Sequence, residues 1–222
     1  MKPTRQLASA ITPDGTPITL HEHDGTVSIR AAGVELMSTR QHHSEERLAE
    51  VACAGLAARR RAAVLIGGLG LGFTLRETLR HVGADATVVV AEFVPAVIVW
   101  NRDPAYRLAA DVIDDPRVDV RGCDVADVLR SGRGRFDCVM LDVDNGARGL
   151  TAVANDGLYA ASGLGIARAA LRPGGRLAVW SAGADPRFVS RMEAAGFTVE
   201  VVRARTHRTG GSWNSIFVGT RV

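Results

Sequence analysis

Apolar and polar positions divide the chain into two regimes. Over residues 1–40 the short extended segments Ile18–Leu20, Thr26–Arg30 and Val34–Met37 are separated by Asp24-Gly25 and Ala32-Gly33, dipeptides suited to tight hairpins. A helix is predicted from about Ser44, with Glu45 and Glu46 in its first turn and Leu48, Val51, Ala52 and Leu56 on one face. From Ala62 onward strands and helices alternate. The strands are Ala63–Ile66, Thr87–Ala91, Val118–Arg121, Phe136–Leu141 and Arg176–Trp180; the helices are Thr74–His81, Val94–Asn101, Val125–Ser131 and Leu164–Leu171. Strands that are apolar throughout and joined by helices imply a parallel sheet covered on both faces. The tail changes character: a helix over Pro186–Ala195, a strand over Thr198–Arg203, the turn-rich THRTGGS, and a strand over Asn214–Val218 read as an antiparallel hairpin closing one sheet edge. The predicted fold is α/β: a doubly wound, mostly parallel, seven-stranded sheet with that hairpin, comprising residues 41–222, and a small β extension, residues 1–40.

Composition narrows the function classes. The 222 residues are 46% hydrophobic and 23% charged, as in a globular protein, and no apolar run approaches the ~20 residues that span a bilayer. The start, MKPTRQLASAITPDG, carries no continuous apolar core of a secretory signal, and Cys53, Cys123 and Cys138 lack CxxC spacing. A cytoplasmic protein with reduced thiols is expected. The net charge of +3 invites a nucleic-acid partner, but Lys2 is the sole lysine, and this arginine bias is compositional. The one basic cluster, Arg59-Arg60-Arg61, falls where a helix ends and cations favour its dipole. No nucleic-acid or membrane partner is expected.

Candidate chemistry begins at VLIGGLGLGFTLRE. Gly68, Gly70 and Gly72 lie between the first core strand and its helix, where glycine permits unusual φ and lets a ligand approach main-chain N–H groups. A tight turn without a ligand has the same signature. Glu92 ends the second strand, VVVAE, where a carboxylate in an open α/β sheet accepts from ribose hydroxyls. Asp124 ends the third and suits either an adenine contact or a helix cap. A dinucleotide oxidoreductase is the first rival, yet Phe73 stands where its GxGxxG motif needs a third glycine.

IGGLGLGFTLRE, VVVAEFVPAVI, DPRVDVRGCDVADVL, FDCVMLDVDNG and LYAASGLGIARAALRPGGRLAVW together resemble the class I S-adenosylmethionine-dependent methyltransferase fold, and within it the spermidine synthase branch. The resemblance implies a site for an adenosyl sulfonium, either S-adenosylmethionine or its decarboxylated form. Gly68, Gly70 and Gly72 would skirt its amino-acid and ribose portions, and Glu92 would hold the ribose. Asp124 and Val125 would face the adenine, and Asp142 the reacting carbon. Departures are equally specific. Leu69-Gly70-Leu71 lacks the aspartate that grips the ammonium of the aminopropyl arm in spermidine synthases. Asp142 and Asp144 stand two apart with no following proline, and RQHHSEERLAE lacks the branch's tyrosine-histidine-glutamate motif.

A sulfonium donor carries its own leaving group, so a protein chiefly positions the nucleophile and accepts its proton. Asp142 and Asp144 are the candidate catalytic carboxylates, with His43 as a further candidate base. Gln41, His42 and Tyr159 are candidate acceptor contacts. Each has a bland counterpart: a turn cap for the aspartates, helix capping for the histidines, packing for the tyrosine. His21 and His23 alternate on a strand and suggest no metal site. The expectation is a transferase acting on a small-molecule acceptor. Methyl transfer is ranked above aminopropyl transfer because of the missing loop acid, and a cationic acceptor is suggested by Asp142, Asp144 and Glu45. Aminopropyl transfer and a non-catalytic nucleoside-binding module remain the alternatives. Exposed strands at either end are compatible with a homodimer.

Overall fold

The computed structural model describes residues 3–142 and 157–222. Four antiparallel strands come first, β1 (Arg5–Ile11), β2 (Pro17–His23), β3 (Thr26–Ala31) and β4 (Val34–Ser38), paired in that order. The sequence pattern misses β1, because RQLASAI buries none of its side chains fully and acquires its extended form from the ladder to β2. Helix α1 (His43–Ala52) leads into the main sheet. Its strands are β5 (Ala63–Gly67), β6 (Thr87–Ala91), β7 (Val118–Arg121), β8 (Phe136–Leu141), β9 (Leu171–Ser181), β10 (Phe197–His207) and β11 (Gly210–Arg221). Between them run α2 (Phe73–His81), α3 (Pro95–Arg102), α4 (Val125–Ser131), α5 (Ala161–Ala170) and α6 (Pro186–Ala194).

The strand order is β10-β11-β9-β8-β5-β6-β7, with β5 through β9 parallel and β11 antiparallel to both its neighbours. The expected seven-stranded sheet with its C-terminal hairpin is therefore present. The hairpin is longer than expected: His207 pairs with Gly210, so part of THRTGGS is strand. Backbone pairing of two long strands overrides the local turn propensity of those residues.

Alternation within the core strands explains their unbroken apolar character. Val64 and Ile66 of β5, Val88 and Val90 of β6, and Cys138 and Met140 of β8 enter one core beside α1, α2 and α3. Leu65, Val89, Val139 and Leu141 enter the other, beside α4, α5 and α6. Ile18, Leu20, Val27 and Ile29 of the N-terminal strands join the first core. Both faces being covered, both sets of alternate positions are apolar through the middle of these strands. Caps at the helix starts are local: Asp124 accepts from Ala126 N–H at 2.8 Å and Asp185 from Phe188 N–H at 3.0 Å. No described helix is long and apolar enough to cross a membrane.

Candidate functional site

The chain leaves β5 for β6 on one side and reaches β8 on the other, so the carboxyl ends of β5, β6 and β8 open a crevice at the switch in strand order. The glycine-rich loop forms its floor. Gly68 donates to the Ala91 carbonyl at 2.9 Å and adopts φ +89°. Gly70 adopts φ +53°, and a Cβ there would stand 2.9 Å from the Met37 sulfur. The Gly70 carbonyl accepts from the buried amide of Asn101 at 2.8 Å, which tethers the loop to α3. Gly72 has a different task. Its Cβ would lie 2.4 Å from that of Ala109, so this glycine permits packing of the α2 start rather than approach of a ligand, contrary to the expectation for it.

Glu92 is buried and clasps the loop. Its two carboxylate oxygens accept from Leu69 N–H and Val94 N–H, each at 2.8 Å. It also lines a cavity of about 180 Å³ together with Gly68, Gly70, Asp124, Val125 and Asp142, so most of the expected cofactor residues converge. Asp124 caps α4 while lining that cavity; its two readings are compatible. The other wall comes from the N-terminal sheet: Thr12, Asp14 and Thr16 of the β1–β2 turn, Ile18 of β2, and Leu36 and Met37 of β4. Nothing local in the sequence marks these residues, which reach the crevice only through the packing of one sheet on another. Gly67 was also unmarked; a side chain there would press on Val125 and Leu141 at 3.0 and 3.1 Å.

A second cavity, again about 180 Å³, adjoins the first. Leu36, Met37, Gly70 and Asp142 belong to both. Asp142 is held at the end of β8, its N–H donating to the Gly67 carbonyl and its Oδ2 accepting from the Thr74 hydroxyl, each at 3.0 Å. Gln41, Ser44, Glu45, Glu35, Trp180 and Asn214 are among the other residues that line the second cavity, so Gln41, an expected acceptor contact, faces it. Burial, and then the negative charge of Asp142, push the Glu45 carboxyl up to about 7.

Three expected acceptor or catalytic residues lie elsewhere. His43 stands 3.5 Å from Glu46, and His42 stacks on Phe73 while its Nδ1 lies 3.1 Å from Glu46. Neither lines either of these two cavities, because α1 starts at His43 and the i,i+4 and i,i+3 spacings turn these rings toward Glu46. Burial alone would raise Glu46, but His42, His43 and Arg208 hold it below the ordinary carboxylate range. Tyr159 is buried edge-on against Phe188 in the second core, the packing alternative. Asp144 lies outside the described residues. His21 bonds Thr19, and among the described residues no cluster of His, Cys, Asp and Glu is placed to hold a metal.

Comparison with solved structures places this architecture. The chain superposes on spermidine synthase from Thermotoga maritima with a TM-score of 0.77 at 19% identity, covering 98% of this chain and 73% of that one. A spermidine synthase in complex with the transition state analogue AdoDATO gives 0.73 at 20% identity, covering 98% and 73%. The chain has a spermidine synthase-like fold. In sequence it is 30% identical over 211 residues to polyamine aminopropyltransferase 2 of Streptomyces coelicolor, covering 91% of this chain and 35% of that protein. Polyamine aminopropyltransferase 1 of the same organism is 34% identical over 120 residues, 53% of this chain and 22% of the relative. The polyamine aminopropyltransferase of Leptospira biflexa is 32% identical over 114 residues, covering 50% and 38%. The chain therefore spans less than two fifths of the length of these curated relatives. No protein-family model matches it.

Proposed function

We propose that this spermidine synthase-like protein transfers the aminopropyl arm of decarboxylated S-adenosylmethionine to a small amine. The observation that carries the reading is the charge of the cavity adjoining the nucleoside crevice. Glu35, Glu45 and Asp142 line it, and among the described residues no lysine, arginine or histidine does. Such a wall attracts ammonium groups and repels a carboxylate. S-adenosylmethionine would bring its α-carboxylate against that wall; the decarboxylated form brings an ammonium alone. Similarity to proteins named polyamine aminopropyltransferases supports the same order, which reverses the ranking drawn from the sequence. The acid missing from the loop had favoured methyl transfer, but α1 presents Glu45 in the cavity that the loop lines.

In this reading Gly68, Gly70 and Glu92 hold the nucleoside, with Asp124 and Val125 at the far end of its cavity. Asp142, common to both cavities, stands where donor carbon and acceptor nitrogen meet. It accepts a proton from the acceptor ammonium, freeing the nitrogen lone pair. The donor supplies the leaving group: the new carbon–nitrogen bond forms as the carbon–sulfur bond breaks, its electron pair neutralising the sulfonium. Met37 and Leu36 close the junction from the N-terminal sheet and exclude water.

The missing loop acid keeps methyl transfer as a second reading. Incubation with 1,4-diaminobutane and either donor separates the two. Methylthioadenosine from the decarboxylated donor is expected. Formation of S-adenosylhomocysteine alone would overturn the proposal in favour of methyl transfer. Nucleoside binding without turnover of either donor would reduce the protein to a nucleoside-binding module.

A further inference from the structure

Successive side chains at the start of α1 point to different neighbours. His42 and His43 turn to Glu46, whereas Glu45, about 100° round the helix from Glu46, enters the cavity beside Asp142. Glu45 is held from behind by a line of donors. The Asn214 amide donates to the Ser44 hydroxyl at 3.1 Å, and that hydroxyl donates to Glu45 Oε2 at 2.6 Å. Ser44 is 1% exposed and Asn214 4%, so β11 and α1 jointly fix one carboxylate oxygen away from bulk water.

Among the described residues, the charged groups around Glu45 are Asp142 at the end of β8, Glu46 on its own helix and Glu35 of β4 across the cavity. The nearby basic groups His42, His43 and Arg208 are all engaged with Glu46. Trp180 lines the same cavity, and its enclosed indole N–H has no acceptor among the described residues. A buried carboxyl opposite a second carboxylate, with no cation on the wall among the described residues, is favoured while it keeps a proton or receives a cation from solution. Evolving a two-element hydrogen-bond support for such a group makes sense for a ligand contact, since an apolar residue would serve stability better.

We propose that Glu45 recognises an ammonium group of the ligand, giving up its proton as that ammonium enters, with Ser44 and Asn214 as positioning residues. The inference rests on the aminopropyl-transfer reading above and deepens it. On binding, the carboxylic acid becomes a carboxylate, one proton passes to the buffer, and no covalent bond to carbon changes. The ammonium belongs either to the donor's arm or to the acceptor amine, which share this chemistry.

Titration calorimetry of the full chain at pH 7, in two buffers of different ionisation enthalpy, counts the protons released. Three probes are needed: methylthioadenosine, which has no ammonium, decarboxylated S-adenosylmethionine, and 1,4-diaminobutane. With Glu45 at about 7, roughly half a proton is expected on binding an ammonium probe and none with methylthioadenosine. Glu45→Gln should abolish the release and weaken the responding probe about tenfold or more, leaving methylthioadenosine unaffected as the control for folding. Whichever ammonium probe responds identifies the source. Ser44→Ala removes a donor that favours the charged form, so it should increase the release. Unchanged affinity and proton release in Glu45→Gln would overturn this inference and leave the proposed function standing. Failure of the wild-type protein to bind either ammonium probe, while still taking methylthioadenosine, would overturn both.

Discussion

Glu92→Gln tests the dual role of the carboxylate at the end of β6. Both oxygens accept from main-chain N–H groups, Leu69 and Val94, at 2.8 Å, and the side chain is 7% exposed. An amide of the same shape offers one oxygen, so in either flip its NH₂ group meets a backbone N–H. One hydrogen bond to a charge is lost and a buried donor is left unmet. Each effect is on the order of 1–3 kcal/mol, and a combined cost of about 3 kcal/mol follows. For a chain of this size that lowers Tm by roughly 6–12 °C. If Glu92 also holds the ribose diol, methylthioadenosine affinity should fall about ten- to a hundredfold. A 2′-deoxy analogue then completes a cycle: removing the hydroxyl should weaken binding to the wild-type protein and hardly matter to Glu92→Gln. Thermal unfolding and calorimetry supply the measurements. A variant that melts with the wild type refutes the loop clasp; a deoxy penalty that persists in the variant refutes the diol contact.

Gly70→Ala should destabilise the fold by about 1–2 kcal/mol through its left-handed φ of +53° and weaken methylthioadenosine by pressing on Met37. Met37→Ala in the same chain should restore part of that affinity, and equal losses in the single and double variants would exclude the contact. Asp137, whose side chain is 2% exposed, binds Arg59, Arg172 and the Ala63 N–H at the opposite end of the parallel strands. Asp137→Ala should cost about 2 kcal/mol in urea unfolding, since the half-exposed arginines resolvate and one buried N–H does not. Nucleoside affinity should be unchanged, and its loss would contradict the structural assignment. Folded Glu45 keeps its proton up to about 7, whereas the unfolded group loses it near 4.5, so its contribution to stability falls as pH rises between those values. Relative to Glu45→Gln, the wild type should lose about 3 kcal/mol across that window; parallel stability curves would rule this out.

The parallel strands, the glycine-rich loop, Glu92 at a strand end and Asp124 as a cap were legible because each depends on contiguous residues: an apolar run, a turn, a side chain bonding its own backbone two positions on. The resemblance carried by those motifs pointed to the fold that the superpositions found. Tertiary structure alone decided the rest. It paired β1, whose small and exposed side chains carry little pattern, and it turned Gly72 toward Ala109. It also brought Met37 from the N-terminal sheet against Gly70. The register of α1 chose Glu45 over His43 for the cavity, a rotation set by which helix face meets the core and not by the identity of either residue. Local propensity is written in neighbours along the chain, whereas the meeting of two cavities at Asp142 needs strands and helices distant in sequence to pack before any charge finds its partner.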